Sequence, residues 1–188
     1  YLYYDRQDKT SGKRESISCA ILARFYELCG ASSMTTVHLH NEAIEGFFHG
    51  PCDSIGTRKL FWNHLKNYCI AKDEYFDPSE WMIIFPDEGA SKIVRDYVKR
   101  AGAGGYAGFS KQRIVANDVE WMDFFGKVEG MRCFVFDDKI DTGGTLVKAG
   151  KLLIEQGAKE TIAACTYGLL NRTAPTDLQN SAYSKIFI

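Results

Sequence analysis

The sequence predicts an α/β fold in which mostly parallel strands are flanked by helices, and three observations support this. First, the apolar runs 133–136 and 161–166 have the β-branched and aromatic composition of buried strands. Second, apolar residues recur at helical spacing over 146–153, between these two runs. Third, Gly157 follows where a left-handed residue would end that helix. In such a strand–loop–helix–strand unit the loop lies at the carboxyl end of a strand, where open α/β sheets bind ligands.

Length and composition predict an intracellular protein with one large domain or two small ones. The chain has 188 residues, 45% of them hydrophobic, and a formal net charge of -1, so no global field attracts nucleic acid. No run suits a membrane span and no signal peptide is visible. The six cysteines form no Cys-x-x-Cys pair, which predicts reduced core thiols in a cytoplasmic protein. The apolar runs 1–4 and 185–188 make both ends look like cuts through a fold.

The first third of the chain predicts a helix and a strand after a charged segment. Residues 5–15 carry mixed charges, which by composition alone indicates a solvated loop. Apolar spacing predicts a helix over 16–29 and a strand over 34–39. Because alternate strand residues share a face, His38 and His40 could point the same way, although two histidines alone are weak evidence for zinc.

The remainder predicts further strands and helices after a connection at 54–58. Apolar spacing predicts a helix over 60–69 and a buried strand over 81–85, followed by Pro86-Asp87-Glu88-Gly89-Ala90-Ser91 and another helix. A short strand at 106–109 precedes the segment 110–119, whose basic residues would by themselves indicate a surface loop.

The loop between the 133–136 strand and its helix carries the most specific chemistry. It combines three carboxylates with a Thr-Gly-Gly-Thr turn: Asp137, Asp138, Asp141, Thr142, Gly143, Gly144 and Thr145. The amides of the turn lie at a helix N-terminus, which favours a phosphate, and the threonine hydroxyls add donors. Carboxylates cannot bind phosphate but suit a polyol or a hydrated divalent cation. Together these groups describe a site for a sugar phosphate.

Two other interpretations use the same residues. The Asp-Asp-x-x-Asp spacing matches a metal motif of terpenoid synthases, but those aspartates line a helix, whereas here a strand precedes them and glycines follow. An acidic loop that merely caps the helix, with Asp141 or Thr142 as the N-cap, would not explain three acids together with two glycines.

The stretch 131–145 resembles the phosphoribosyl diphosphate (PRPP) fingerprint of type I phosphoribosyltransferase-fold proteins. This resemblance implies that the seven residues of the 137–145 loop bind ribose 5-phosphate or PRPP. Four further segments resemble PRPP synthetases, and they occur in the family's order along nearly the whole chain. The fingerprint alone does not separate transferases from synthetases, so these other segments decide.

Two of these segments distinguish PRPP synthetases from ordinary phosphoribosyltransferases. Arg6, Gln7, Asp8 and Lys9 resemble the Arg-Gln-Asp-Lys segment that binds ATP in the family. Arginine can pair with phosphate or stack on a purine, and glutamine can bond a base edge. The segment 110–119 resembles the family's flexible catalytic loop, which implies that Lys111 and Arg113 are the catalytic cations.

Two more segments imply a Mg²⁺ site. The stretch 38–53 resembles the family segment that begins Asp-Leu-His and continues to Gly-Phe-Phe, which makes His40 a magnesium-site residue. The stretch 86–91 resembles the family's diphosphate loop, and this resemblance implies that Asp87 is also a magnesium-site residue. The stretch 166–170 also resembles a Thr-His-Gly stretch of the family. This chain departs from the family at four positions, with histidine replacing aspartate twice, alanine replacing glycine and tyrosine replacing histidine: His38, His49, Ala90 and Tyr167.

The resemblance implies two phosphoribosyltransferase-like, Rossmann-like domains: residues 1–57 as the later part of the first, and 58–188 as the second. It implies a ribose-phosphate diphosphokinase that uses Mg²⁺, ATP and ribose 5-phosphate and assembles as dimers that build a hexamer. Two alternatives remain open. The departures at His38, His49 and Ala90 would suit a non-catalytic regulatory subunit of such a synthetase. A phosphoribosyltransferase would need a base-recognising hood that the sequence does not reveal.

Overall fold

The structure is a computed structural model that describes residues 5–10, 14–85, 91–112 and 121–188; of 91–94, 110–112 and 121–123 it describes the backbone alone. The chain divides into two compact units, Tyr1–Lys59 and Leu60–Ile188. The assignment of residues 1–57 and 58–188 to two related domains stays a prediction.

The first unit contains a helix and a small parallel sheet. Its elements are helix α1 (Ser18–Leu28), strand β1 (Met34–Val37), a 3₁₀ helix (Glu42–Phe47) and strand β2 (Cys52–Ile55), with β1 and β2 parallel. Cys19, Leu39 and Ile44 form its buried core. The predicted helix over 16–29 is therefore confirmed with slightly tighter bounds.

The predicted strand over 34–39 is wrong at its end. His38 has a φ of 48°, a left-handed conformation that cannot continue a strand, so β1 stops at Val37. The argument that His38 and His40 share one strand face therefore fails. His38 instead places its Nδ1 atom 3.0 Å from the Thr57 hydroxyl oxygen.

The second unit is built on a mixed sheet with the strand order β5-β4-β3-β6-β7-β8 among the residues described. All neighbouring pairs are parallel except β4 and β5. The strands are β3 (Trp81–Phe85), β4 (Gly105–Gln112), β5 (Trp121–Phe125), β6 (Arg132–Ile140), β7 (Glu160–Gly168) and β8 (Lys185–Phe187). The helices are α2 (Arg58–Ala71), a 3₁₀ turn (Pro78–Glu80), α3 (Ser91–Ala101), α4 (Gly144–Glu155) and α5 (Ala174–Gln179).

The central strand β6 is buried on both faces, and its successive residues pack into two different hydrophobic clusters. Cys133 and Val135 pack in one hydrophobic cluster together with residues of α4. Phe134 and Phe136 pack in the other, together with residues of α2. Successive side chains of a strand point to opposite faces, and a parallel sheet covered on both sides reads as a continuous apolar run. The predicted α/β class is confirmed.

Several predicted boundaries differ from the structure because pairing extends the strands. The run 133–136 is the middle of β6, whose ladder with β7 continues to Ile140 opposite Gly168. Asp137 and Asp138 therefore belong to the strand rather than follow it. Likewise, β4 continues to Gln112 because it pairs with β5, so Lys111 lies in a strand and not in the loop that its sequence context predicted.

The cysteine prediction is only partly confirmed. All six cysteines, each within the described part of the chain, are free thiols, and four are buried. Cys29 is exposed, so it is not the core residue that its helical pattern suggested. Burial raises the pKa of Cys133 to about 12, which leaves this thiol unreactive at neutral pH.

Among the described residues, no helix combines the length and apolar character that crossing a membrane requires.

Candidate functional site

The segment 137–145, termed the 137–145 loop, comprises the end of β6 and the turn into α4, and it lies at the topological switch point of the large sheet. Strand β3 connects through α3 to β4 on one side, whereas β6 connects through α4 to β7 on the other. Because β3 and β6 are parallel neighbours, their carboxyl ends flank the same crevice. Ligands of open α/β sheets bind at such a point.

Gly143 shapes the turn that begins α4. It is the N-cap residue, with φ 76° and ψ -11°, a conformation that glycine adopts without strain. A Cβ atom there would lie 3.3 Å from Cγ of Leu178. The suggested capping by Asp141 or Thr142 is therefore wrong. The amides of the first helical turn, from Gly144 onward, begin a 12-residue helix whose dipole favours an anion.

Each of the three carboxylates in this loop is held by a hydrogen bond. Asp137 accepts one from the backbone amide of Asp138 at 2.8 Å. Asp138 accepts one from the ammonium of Lys139, with 3.0 Å between Nζ and Oδ2. Asp141 accepts one from the side-chain amide of Asn171 at 2.7 Å. The acidic part of the loop is therefore oriented by the protein itself.

The segment after β7 supports the same loop from the side. The amides of Leu169 and Leu170 both donate to the carbonyl of Ile140, and the Asn171 amide donates to the carbonyl of Asp141. Leu170 has a φ of 51°, which is unusual for a residue with a branched side chain. Sequence reasoning missed Asn171, because nothing in its local pattern links it to a loop 30 residues earlier.

Lys139 is the second residue that sequence reasoning missed. In the sequence it lies between Asp138 and Ile140, among three aspartates, and the structure buries it to 3% exposure. Lysine is rarely buried without a partner, but a lysine among aspartates is typical of an exposed loop, so the local sequence carried no signal of this burial.

The predicted ATP segment and the predicted magnesium segment meet in the first unit. Asp8 accepts a hydrogen bond of 2.8 Å from the side-chain amide of Asn41, the residue that follows His40. Arg6, Gln7, Lys9 and His40 are exposed. The backbone carbonyl of Gln7 accepts a bond from the Cys19 amide at 3.3 Å, which fixes the segment to the first turn of α1.

His49 binds Glu27 on the surface of the first unit. The His49 backbone amide donates to the Glu27 carboxylate at 2.5 Å, and the ring Nδ1 lies 3.0 Å from the same oxygen. Arg24 lies 2.7 Å from the other oxygen. The hydrogen bond from the His49 backbone amide is the largest cause, and the hydrogen bond from Arg24 the next, of a pKa of Glu27 that is lowered from its ordinary value of 4.5 to about 2.

Three residues of the sequence hypothesis, Asp87, Ala90 and Arg113, lie outside the described residues. Lys111 is described only by its backbone, which pairs with that of Met122. The roles proposed for all of these residues stay predictions.

The described part of the chain contains no group of three or more His, Cys, Asp or Glu side chains that could hold a metal ion. Magnesium does not need such a cage, since it keeps several waters and takes one or two protein ligands plus substrate phosphates. Within the second unit, the carboxylate oxygens of the 137–141 segment are of the type that this mode uses.

Comparison with known proteins assigns the family. The Phosphoribosyl transferase domain family matches residues 53–186. A ribose-phosphate pyrophosphokinase of Thermosipho africanus (strain TCF52B) is 36% identical over 188 residues, all of this chain and 57% of that protein. One of Aquifex aeolicus (strain VF5) is 31% identical over 188 residues, which are 58% of its length.

A crystal structure of phosphoribosylpyrophosphate synthetase from Mycobacterium smegmatis matches with a TM-score of 0.85 and 31% sequence identity, covering 99% of this chain and 58% of that one. The chain thus spans somewhat over half the length of the relatives it matches. It belongs to the phosphoribosyl transferase domain family, and along its whole length it is similar to ribose-phosphate pyrophosphokinases.

Proposed function

We propose that the whole protein is a ribose-phosphate diphosphokinase, which transfers the β,γ-diphosphoryl group of ATP to the anomeric hydroxyl of ribose 5-phosphate and yields PRPP and AMP. The observation that carries this proposal is the 137–145 loop at the switch point, where oriented carboxylates and a glycine-capped helix N-terminus adjoin. The similarity to ribose-phosphate pyrophosphokinases supports the same reaction.

The loop provides separate contacts for the two ends of the sugar phosphate. The amides of Gly143, Gly144 and Thr145, with the threonine hydroxyls, would bind the 5-phosphate. The oriented carboxylates of Asp137 and Asp138 would accept hydrogen bonds from the ribose hydroxyls. Binding at both ends would fix the anomeric hydroxyl in one orientation, and such positioning is a large part of phosphoryl-transfer catalysis.

ATP would bind to the segment Arg6, Gln7, Asp8 and Lys9 of the first unit. The exposed guanidinium and ammonium groups of this segment suit phosphate oxygens or a purine ring, and the Asp8–Asn41 bond fixes its end beside His40. His40 and Asp87 would hold Mg²⁺. The ion, when bound, would neutralise negative charge on the ATP phosphates.

Lys111 and Arg113 would stabilise negative charge on the diphosphoryl group during transfer. The position of β4 in the sheet supports this role. Because β4 is parallel to β3 and adjacent to it, its carboxyl end, which carries Lys111, lies at the same sheet edge as the carboxyl ends of β3 and β6.

Lys111→Ala should reduce kcat by about 100-fold or more, the effect of losing one preorganised electrostatic contact, with ribose 5-phosphate binding nearly unchanged. Steady-state AMP formation and calorimetric binding measure the two quantities. Lys159→Ala is the control, because Lys159 is exposed at the amino end of β7. An unaltered kcat in Lys111→Ala would remove this residue from the mechanism.

The test of the function is AMP release by the full-length protein with ATP, Mg²⁺ and ribose 5-phosphate, each omitted in turn. We expect AMP only when all three are present. Absence of AMP, with ribose 5-phosphate still bound, would refute the diphosphokinase and favour a regulatory relative. The enzyme names of the relatives do not favour that alternative.

We also propose that the protein is cytoplasmic and forms dimers that build a hexamer. Light scattering coupled to size-exclusion chromatography of the full-length protein tests the assembly. A monomer at micromolar concentration would contradict it.

A further inference from the structure

A buried ion pair lies within the 137–145 loop. Lys139 and Asp138 are consecutive residues of β6, and the side chains are 2% and 11% exposed. The ammonium nitrogen lies 3.0 Å from Oδ2 of Asp138. Burying two charges is costly, and the geometry must be good to offset it. A lysine held in this way therefore restrains the carboxylate that it contacts.

The neighbouring strand contributes an aromatic ring to the environment of the ammonium. Lys139 is in register with Tyr167 of β7, and its Nζ atom lies 5.6 Å from the centre of that ring. A cation over an aromatic face gains further attraction when it is shielded from water. Tyr167 and Asp138 therefore fix the ammonium from two sides.

The charges of the loop explain why such a restraint would matter. Asp137 and Asp138 are adjacent and repel each other, and Asp141 follows in the same segment. The backbone amide that holds Asp137 is neutral, so it orients a carboxylate without balancing its charge. Lys139 is a cation bonded directly to this acidic group, and it both orients Asp138 and balances its charge.

We propose that Lys139 is a positioning residue for the sugar substrate, which acts through Asp138 by holding its carboxylate oriented toward the ribose hydroxyls. This inference rests on the proposed function of the 137–145 loop. It adds to that function a residue for which the fingerprint resemblance implies no role.

The test is a double-mutant cycle on ribose 5-phosphate binding by the full-length protein, measured by calorimetry without ATP. Lys139→Met keeps the length of the side chain without its charge, and Asp138→Asn keeps the shape of the carboxylate without its charge. We expect each single variant to weaken binding by about tenfold. Since Lys139 acts through Asp138, the double variant should bind within twofold of Asp138→Asn.

Lys151→Met is the matched control. Lys151 lies on α4 with its side chain 77% exposed and an ion pair of 3.7 Å to Glu155, so the same substitution there should leave binding unchanged. Unfolding curves of all variants separate binding from stability. A purely structural role for Lys139 would lower stability and leave the affinity of the folded protein at the wild-type value.

Each result supports or overturns the inference. Wild-type affinity in folded Lys139→Met overturns it, as does a double variant that binds more than threefold more weakly than Asp138→Asn. Should Lys139→Met not fold, the double variant, which retains neither charge of the pair, can still overturn the inference by binding more than threefold more weakly than Asp138→Asn. No binding by the wild-type protein refutes the proposed function itself, whereas wild-type binding with unaffected variants refutes the inference alone.

Discussion

Gly143 connects a backbone conformation to the proposed phosphate site. Its φ of 76° lies in the region that costs other residues about 1–2 kcal/mol, and a Cβ there would press on the side chain of Leu178. The first helical amides after it are the donors proposed for the 5-phosphate. The conformation of this single residue therefore sets how the helix terminus faces the ligand.

Gly143→Ala should lower the free energy of unfolding of the second unit by about 1–2 kcal/mol. Urea denaturation followed by the fluorescence of the buried Trp62 and Trp81 measures the change. Gly144→Ala is the matched control, since a Cβ there meets no described atom within 4 Å, and it should be neutral or slightly stabilising. Equal effects of the two substitutions would contradict the conformational explanation.

Arg132 connects elements of the second unit that are distant in the sequence. Its guanidinium lies 2.6 Å from Glu74, which follows α2, and 2.7 Å from Glu160 at the start of β7. It also lies over the ring of Trp81 in β3, with 4.8 Å to the ring centre. The hydrogen bond from Arg132 lowers the pKa of Glu74. One residue of β6 thus joins the amino ends of three parallel strands.

Arg132→Ala should lower the free energy of unfolding by about 2 kcal/mol. Removing one partner of a fully buried ion pair costs about 3–5 kcal/mol, and the partial exposure of Glu74 reduces this. Thermal and urea unfolding of the purified protein measure it.

Arg100→Ala serves as the control for that substitution. Arg100 forms an i,i+4 pair with Asp96 in which both side chains are largely exposed, and such pairs contribute about 0.5 kcal/mol or less. If Arg132→Ala were as mild as Arg100→Ala, the connection between strands would not stabilise the sheet.

The stability of the whole molecule should depend on pH through carboxylates whose pKa values fall on folding. In the first unit Glu27 is the strongest case, with a pKa lowered from 4.5 to about 2 by the His49 amide and by Arg24. A carboxylate whose pKa is lower in the folded state than in the unfolded state stabilises the native state at a pH above its unfolded pKa. This stabilisation is lost as the pH falls through the folded pKa. This contribution is therefore complete above pH 4.5 and disappears progressively toward pH 2.

Glu27→Gln should flatten the loss of stability between pH 4.5 and pH 2, because glutamine has no proton to gain. Urea midpoints followed by far-ultraviolet circular dichroism at pH 7, 4 and 3 measure the slope. Glu42→Gln, which changes an exposed glutamate, should keep the wild-type slope. An unchanged slope in Glu27→Gln would show that the His49 contact does not govern acid stability.

At the scale of the whole chain, local patterns determined much of the fold. The apolar runs became β3, β6 and β7 because strands covered on both faces must be apolar throughout. The position of the 137–145 loop followed from the order strand, loop, helix, since chain order and parallel pairing place such loops at one sheet edge. Resemblance to PRPP synthetases supplied the family, which patterns alone do not provide.

Only the tertiary structure decided where the strands end and what orients the acidic loop. The strand β6 runs on to Ile140 because β7 offers hydrogen bonds there, and β1 stops at Val37 because His38 adopts a left-handed conformation. The contacts of Lys139 with Tyr167 and of Asp141 with Asn171 join residues about 30 positions apart. Such contacts depend on strand register and on how loops close. Both are set by the packing of the whole sheet, so the local sequence does not predict these contacts.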